Sequence, residues 1–362
     1  MKRLMISLSM IMLLSQAFSQ SRLRVSVDPR IELLSVILSV SDYDSLIVSR
    51  ESFPLVSRFD FKYKENLLSA FSEMKDDSVI DTFTEMLYNY GFAYSFPVQA
   101  CLVSSDLPEM KINKIVNKTA LSRSGGLENL NNFLGEMSDF YIRSDFDSFL
   151  KEHEDYYREI VWHVESLPVN EMVSRMEDYF GEQQSSYNII LASMFHPGGF
   201  GPNIYDSLGN KHVYSIIGPK SVSRGVPRFG TVDEFRYLVW HEFSHSVVNP
   251  IVDSLYDEME PFSGLYDPLK EKLQHQIIGN WRDCIAEHIV RAVTVRLTCL
   301  YHGDKAGAEA MAKETGMGFS YVPDICRVLE DYEASRDVYP VFRDYYPRII
   351  QLFSKLDGGM NM

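Results

Sequence analysis

The sequence predicts an α+β protein, mostly helical, with a small mixed sheet. Three observations carry that prediction. Apolar residues recur at helical spacing through most of the chain, between recognisable caps and breaks. One stretch, 187–217, interrupts this texture with a run of β-formers and a glycine-containing turn. A long capped helix then carries His241-Glu242-Phe243-Ser244-His245, an H-E-x-x-H match.

The chain has 362 residues, 45% of them hydrophobic, enough for one large or two medium domains. Residues 1–19 read as a secretory signal peptide. Lys2-Arg3 form a basic start, Leu4 to Leu14 are almost all apolar, and Ala17-Phe18-Ser19 fits a small-x-small cleavage site. The apolar run is too short for a comfortable bilayer span and no cysteine follows it. An exported protein, periplasmic or extracellular, with no stable membrane insertion after cleavage is therefore expected. The rest divides near 184 into a mainly helical lobe over 20–184 and a lobe carrying the sheet and the motif over 185–356. A flexible tail is expected over 357–362. The formal charge of −15 argues against nucleic acid as a partner, because phosphate is gripped by Lys and Arg. Cys101, Cys284, Cys299 and Cys326 allow up to two disulfides or serve as small buried hydrophobes. Cys284 and Cys299 lie about 22 Å apart if both are on one helix, too far to pair.

In chain order, Ser21 to Val27 alternates as a short strand. Asp28 suits an N-cap and Pro29 the first helical position, so Arg30 to Val40 reads as a helix. Phe53 to Tyr90 is mostly helical, with a charged break at Lys75-Asp76-Asp77. Tyr88 to Met110, aromatic and proline-containing, reads as loop or irregular packing. Ser124-Gly125-Gly126 is a break, and Asp145 to Glu165 and Asn170 to Phe180 are helices. Tyr187 to Phe195 reads as a buried strand. The loop His196-Pro197-Gly198-Gly199-Phe200-Gly201-Pro202 can bring its backbone close to a ligand. Gly209-Asn210 turns a hairpin between Asn203–Leu208 and Lys211–Ile217.

The motif helix runs from Thr231 to Val248. Thr231 and Glu234 form a capping box, and Asn249-Pro250 ends the helix. Positions i and i+4 share a face, so His241 and His245 can aim two imidazoles at one point. That arrangement suits Zn²⁺, which takes neutral imidazole nitrogens. Glu242 stands beside the first ligand, placed to accept a proton as general base. A catalytic zinc needs a third protein ligand. A continuation with glycine and a third histidine is excluded by Val248 and Ile251. The best candidate is Glu287, in the predicted helix Asn280 to Leu297, with Asp283 and His288 as rivals; Arg291 is an i, i+4 neighbour of Glu287. Pro250 to Met259 and Asp267 to Ile278 read as connecting helices, and Gly303 to Gly318 as a mobile insertion. A helix starts near Pro323, and a last one, Val338 to Lys355, is interrupted at Pro347. For a developing oxyanion, Tyr321 is the candidate donor by position, with Tyr332, Tyr339 and His302 as alternatives.

On these residues the chain resembles the gluzincin-like zinc metallopeptidases, in which a glutamate on a second helix completes the H-E-x-x-H site. Val27 to Leu34, the motif followed by Asn249-Pro250, Glu287 to Ala292, and Tyr345 to Ile350 look more particularly like an uncharacterised family of secreted bacterial proteins of that clan. The resemblance implies a zincin-like catalytic core, His241, His245 and Glu287 as zinc ligands, Glu242 as catalytic base, and a peptide or protein substrate. It also suggests the 203–217 hairpin as the edge that pairs with substrate backbone. A non-catalytic binding protein on the same fold, or hydrolysis of a non-protein amide, would use the same residues.

Overall fold

The computed structural model describes residues 22–48, 55–274, 276 and 278–360. The segment read as a signal peptide lies outside the described residues. Among the described residues, β1 (Leu23–Ser26) is followed by the α-helices α1 (Pro29–Val40), α2 (Tyr43–Val48), α3 (Lys62–Phe71), α4 (Ser78–Tyr90), α5 (Ser95–Val103), α6 (Lys118–Arg123), α7 (Leu127–Arg143), α8 (Phe146–Glu152), α9 (Glu154–Glu165) and α10 (Val169–Phe180). The strands β2 (Ser186–Leu191), β3 (Gly198–Phe200), β4 (Asn203–Tyr205), β5 (Lys211–Gly218), β6 (Ser221–Ser223) and β7 (Val226–Arg228) follow. The remainder is helical: α11 (Val232–Ser254), α12 (Tyr256–Met259), α13 (Lys270–Gln274), α14 (Trp281–His302), α15 (Asp304–Gly316), α16 (Val322–Ala334) and α17 (Phe342–Met360). This is the α+β, mostly helical chain with a small mixed sheet that the sequence predicts.

The main sheet runs β1-β2-β5-β3, with β4 also on β5. β1, β2 and β5 are parallel, and β3 and β4 are antiparallel to β5. The two faces of β2 and β5 meet different cores, so both parities of these strands carry buried apolar residues. Ile189, Leu191, Val213 and Ile217 face one core with α10, α11, α14, α16 and α17. Ile190, Ile204 and Ile216 face the other, built on α1, α3, α4, α5 and α7. Apart from those strand residues and Ala192, Met194 and Phe195 just after β2, the buried members of the two cores divide between Phe149 and Ile160. At the start of α1 the Asp28 carboxylate accepts from Arg30 N at 2.9 Å, and the buried Arg30 guanidinium reaches the Ser104 carbonyl at 2.7 Å. The cap thus also ties α1 to the end of α5.

Six expectations are corrected. Tyr88 to Met110 contains α5, with Val98, Ala100, Cys101, Leu102 and Val103 all buried. A short helix apolar on every side has no periodic signal to read. Asp145 to Glu165 is two helices: His153 Nδ1 lies 2.8 Å from the Phe149 carbonyl while its own N–H falls back on Leu150, so the ladder breaks there. The motif helix continues through Pro250 to Ser254. Pro250 has no N–H for the Ser246 carbonyl, and the Lys211 ammonium donates to that carbonyl instead, at 3.1 Å. The stretch 303–318 holds α15, seated closely because Gly307 meets Cys299; a Cβ there would lie 2.1 Å from its Sγ. The last helix runs through Pro347 and on to Met360, taking in most of the expected tail. The expected strand 187–195 is also shorter, ending at Leu191 before a turn in which Phe195 N bonds Ala192 O at 3.0 Å. All four cysteines are free thiols.

Candidate metal centre

Two helices position the site. On α11 the Thr231 hydroxyl accepts from Glu234 N and the Glu234 carboxylate accepts from Thr231 N, closing the predicted capping box. On α14 the Asn280 side chain accepts from Asp283 N at 2.9 Å. The two helices pack on each other, and Phe243, Val247, Ile285 and Ile289 are buried in the core they share. That crossing turns the His241 and His245 face of α11 toward Glu287 on α14.

The three side chains converge. His241 Nε2 and His245 Nε2 are 3.3 Å apart, Glu287 Oε1 is 3.3 Å from His245 Nε2, and Glu287 Oε2 is 3.8 Å from His241 Nε2. Ligand atoms held tetrahedrally at 2.0–2.1 Å from one zinc stand about 3.3–3.4 Å apart, so the spacing matches one shared cation. The second nitrogen of His245, Nδ1, faces the Asn249 side-chain oxygen at 3.1 Å. With Nδ1 donating there, Nε2 keeps its lone pair for the centre. Asn249, read from sequence as a helix stop, thus orients a ligand.

Glu242 lies beside the triad and is buried. The chain that presses on it is β3. A Cβ on Gly199 would sit 2.8 Å from Glu242 Oε1, and one on Gly201 would sit 2.5 Å from the Glu242 carbonyl. Only glycine lets this strand approach so closely. The Gly-rich run therefore does bring backbone next to the candidate site, as the sequence suggests.

Electrostatics separate the two carboxylates. Burial pushes Glu242 up to about 7, with His245 opposing and Glu287 adding. Burial pushes Glu287 the same way, but the Arg291 guanidinium and His245 override it and hold Glu287 well below the ordinary carboxylate range. Burial also drives His241 well below the ordinary imidazole value, favouring the neutral ring that metals bind. On His245 burial is outweighed by Glu287, so its pKa is raised.

A family model described as a domain of unknown function (DUF4932) matches residues 23–352. The chain belongs to that family. The DUF4932 match runs from β1 into α17 and so contains every residue of the candidate centre. No curated protein and no solved structure matches the chain.

The structure chooses among the rival third ligands. Asp283 is engaged at the helix cap with Asn280 and Arg282, at 2.7 and 2.9 Å. His288 is fully buried, with Nδ1 2.7 Å from the Cys284 carbonyl and its ring against Phe319 and Tyr321. Two of the oxyanion candidates are corrected: the Tyr321 hydroxyl donates to the Leu265 carbonyl and the Tyr332 hydroxyl to the Tyr179 carbonyl, both at 2.7 Å and both in the core. Two residues beside the triad escape a reading of the sequence, and a third is read only in part. Tyr237 and Glu314 bond each other at 2.5 Å, and Arg291, foreseen only as a partner of Glu287, also bonds Glu314 at 2.5 Å. Nothing local marks Glu314, because its partners lie on other helices.

Proposed function

We propose that this chain is an exported zinc-dependent peptidase, with a zincin-like catalytic core and peptide or protein as substrate. The carrying observation is the convergence of His241, His245 and Glu287 at 3.3–3.8 Å with a buried carboxylate, Glu242, on the next residue. Two imidazoles and one carboxylate are the donor set of a catalytic zinc that keeps a position open. Export is supported by the basic, apolar and small-residue pattern of residues 1–19.

A bound zinc supplies Lewis acidity, polarising a carbonyl and making water nucleophilic near neutral pH. The chain's own residues do the rest. Glu242, buried beside the triad, would take a proton from the attacking water and return it to the leaving amine. His245, steered by Asn249, and Glu287, held ionised by Arg291, keep the donor set fixed. β3 pairs with β5 along one edge and passes Glu242 at Gly199 and Gly201. An extended peptide adding to β3 would bring a scissile bond to Glu242. This moves the substrate edge from the 203–217 hairpin to the strand before it.

Elemental analysis together with a peptide-library cleavage assay tests the proposal. The wild-type chain is expected to hold one zinc and cleave peptides. Glu242→Gln should keep the zinc and lose at least about a hundredfold in cleavage. Full activity in that variant removes Glu242 from the mechanism. A zinc-loaded chain that cleaves no peptide turns the reading toward binding or a non-protein amide.

A further inference from the structure

Glu314 is fully buried on α15, a helix that contributes no residue to the triad. Its Oε2 accepts from Arg291 Nη1 at 2.5 Å and its Oε1 from the Tyr237 hydroxyl at 2.5 Å. Arg291 in turn donates through Nε to Glu287 Oε2 at 3.0 Å, and its guanidinium lies 3.8 Å over the Phe319 ring. Tyr237 is one helical turn before His241, and Arg291 one turn after Glu287. A single carboxylate therefore grips a turn-neighbour of a histidine ligand and a turn-neighbour of the carboxylate ligand.

We infer that Glu314 is a positioning residue for the metal centre, acting on Glu287 through Arg291; this rests on the metal reading above. Arg291 presents a rigid fork of five donors. Glu314 draws Nη1 to itself, so only Nε reaches Glu287, and it reaches the oxygen nearer His241. Glu287 Oε1 stays directed at His245, 3.3 Å away. Without a charge on residue 314 the whole guanidinium turns to Glu287, pairs with both oxygens, and withdraws the electron density a cation needs. The Tyr237 hydroxyl fixes the other oxygen of Glu314, so the carboxylate cannot swing to follow Arg291.

The test is a set of zinc dissociation constants, measured by competition with a chromophoric chelator, for wild type, Glu314→Gln, Arg291→Lys and the double variant. Visible spectra of the cobalt-loaded proteins accompany them. Glu314→Gln is expected to weaken zinc about 10- to 100-fold and to shift the cobalt bands, a signature that loosened packing elsewhere does not produce. In the Arg291→Lys background the same change should cost less than about threefold, because its route is already cut. Wild-type affinity and an unmoved cobalt spectrum in Glu314→Gln overturn the inference, and so do losses that simply multiply in the double variant. Should Glu314→Gln not fold, Tyr237→Phe, which removes one hydroxyl, is read instead: a severalfold weakening supports the inference and unchanged affinity overturns it. A wild-type chain that binds no zinc overturns the metal reading itself, whereas tight wild-type binding with an indifferent variant overturns only the role of Glu314.

Discussion

Glu32 and Glu287 sit in the two cores on opposite sides of one sheet. Glu32 lies on α1 among aromatic rings, and its carboxylate accepts from the Tyr63 hydroxyl, which is itself 2.8 Å from the Tyr157 hydroxyl. Burial pushes it up to about 7, with Tyr63 opposing and Asp28 adding. Glu287 is a half-buried carboxylate between Arg291 and two imidazoles, and the Arg291 guanidinium, helped by His245, holds it far below the ordinary range. Burial penalises charge in both places. What differs is the company: a hydroxyl can satisfy an acid without ionising it, whereas a guanidinium keeps it ionised. Glu242, one helix away from Glu287 and also near 7, belongs electrostatically with Glu32.

The harshest way to break this contrast is Arg291→Met. It strips the cation from the buried Glu314 and the half-buried Glu287, and should cost about 3–5 kcal/mol in guanidinium unfolding. A midpoint close to wild type would mean that the carboxylates never depended on it.

Next in size is the pH dependence on the other side of the sheet. Glu32 has its pKa raised on folding, from an ordinary 4.5 to about 7, so its contribution to stability is whole below 4.5 and is lost as pH climbs through 7. Glu32→Gln keeps an acceptor for Tyr63 and cannot ionise. The stability of the variant relative to wild type should therefore improve by about 3 kcal/mol between pH 4.5 and pH 8. Parallel stability curves for the two proteins would show that Glu32 does not titrate in this way.

The smallest effect on the fold, though not on chemistry, is expected of Gly199→Ala. Its new methyl meets the mobile end of Glu242, whereas one at Gly201 would strike the α11 backbone. Cleavage by Gly199→Ala should fall about tenfold while stability moves by less than about 1 kcal/mol. Gly201→Ala should lose both, and equal damage from the two would argue that β3 is only packing.

Much of this was legible wherever the physics is local. The caps at Asp28, Thr231 and Asn280 announce α1, α11 and α14 because each involves residues within one turn. The pairing of His241 with His245 follows from helical pitch alone. Glu287 could be picked for its residue type and its arginine neighbour, although only folding brings it to the histidines. The rest depended on distant partners. Pro250 sits inside a helix because Lys211, on β5, supplies the missing hydrogen bond. α15 offers no apolar stripe, since its seat against α14 rests on small residues such as Gly307. The weight of Glu314 appears only once Tyr237, 77 positions earlier, is next to it.

The alternation along β2 has a last consequence. Ile189 and Leu191 belong to one core and Ile190 to the other, so a single strand is a party wall between two rooms. Neither room can be emptied without exposing the wall's far side to solvent, and that couples their melting into one event. The candidate chemistry on α11 is thereby insured by aromatic residues that never approach it.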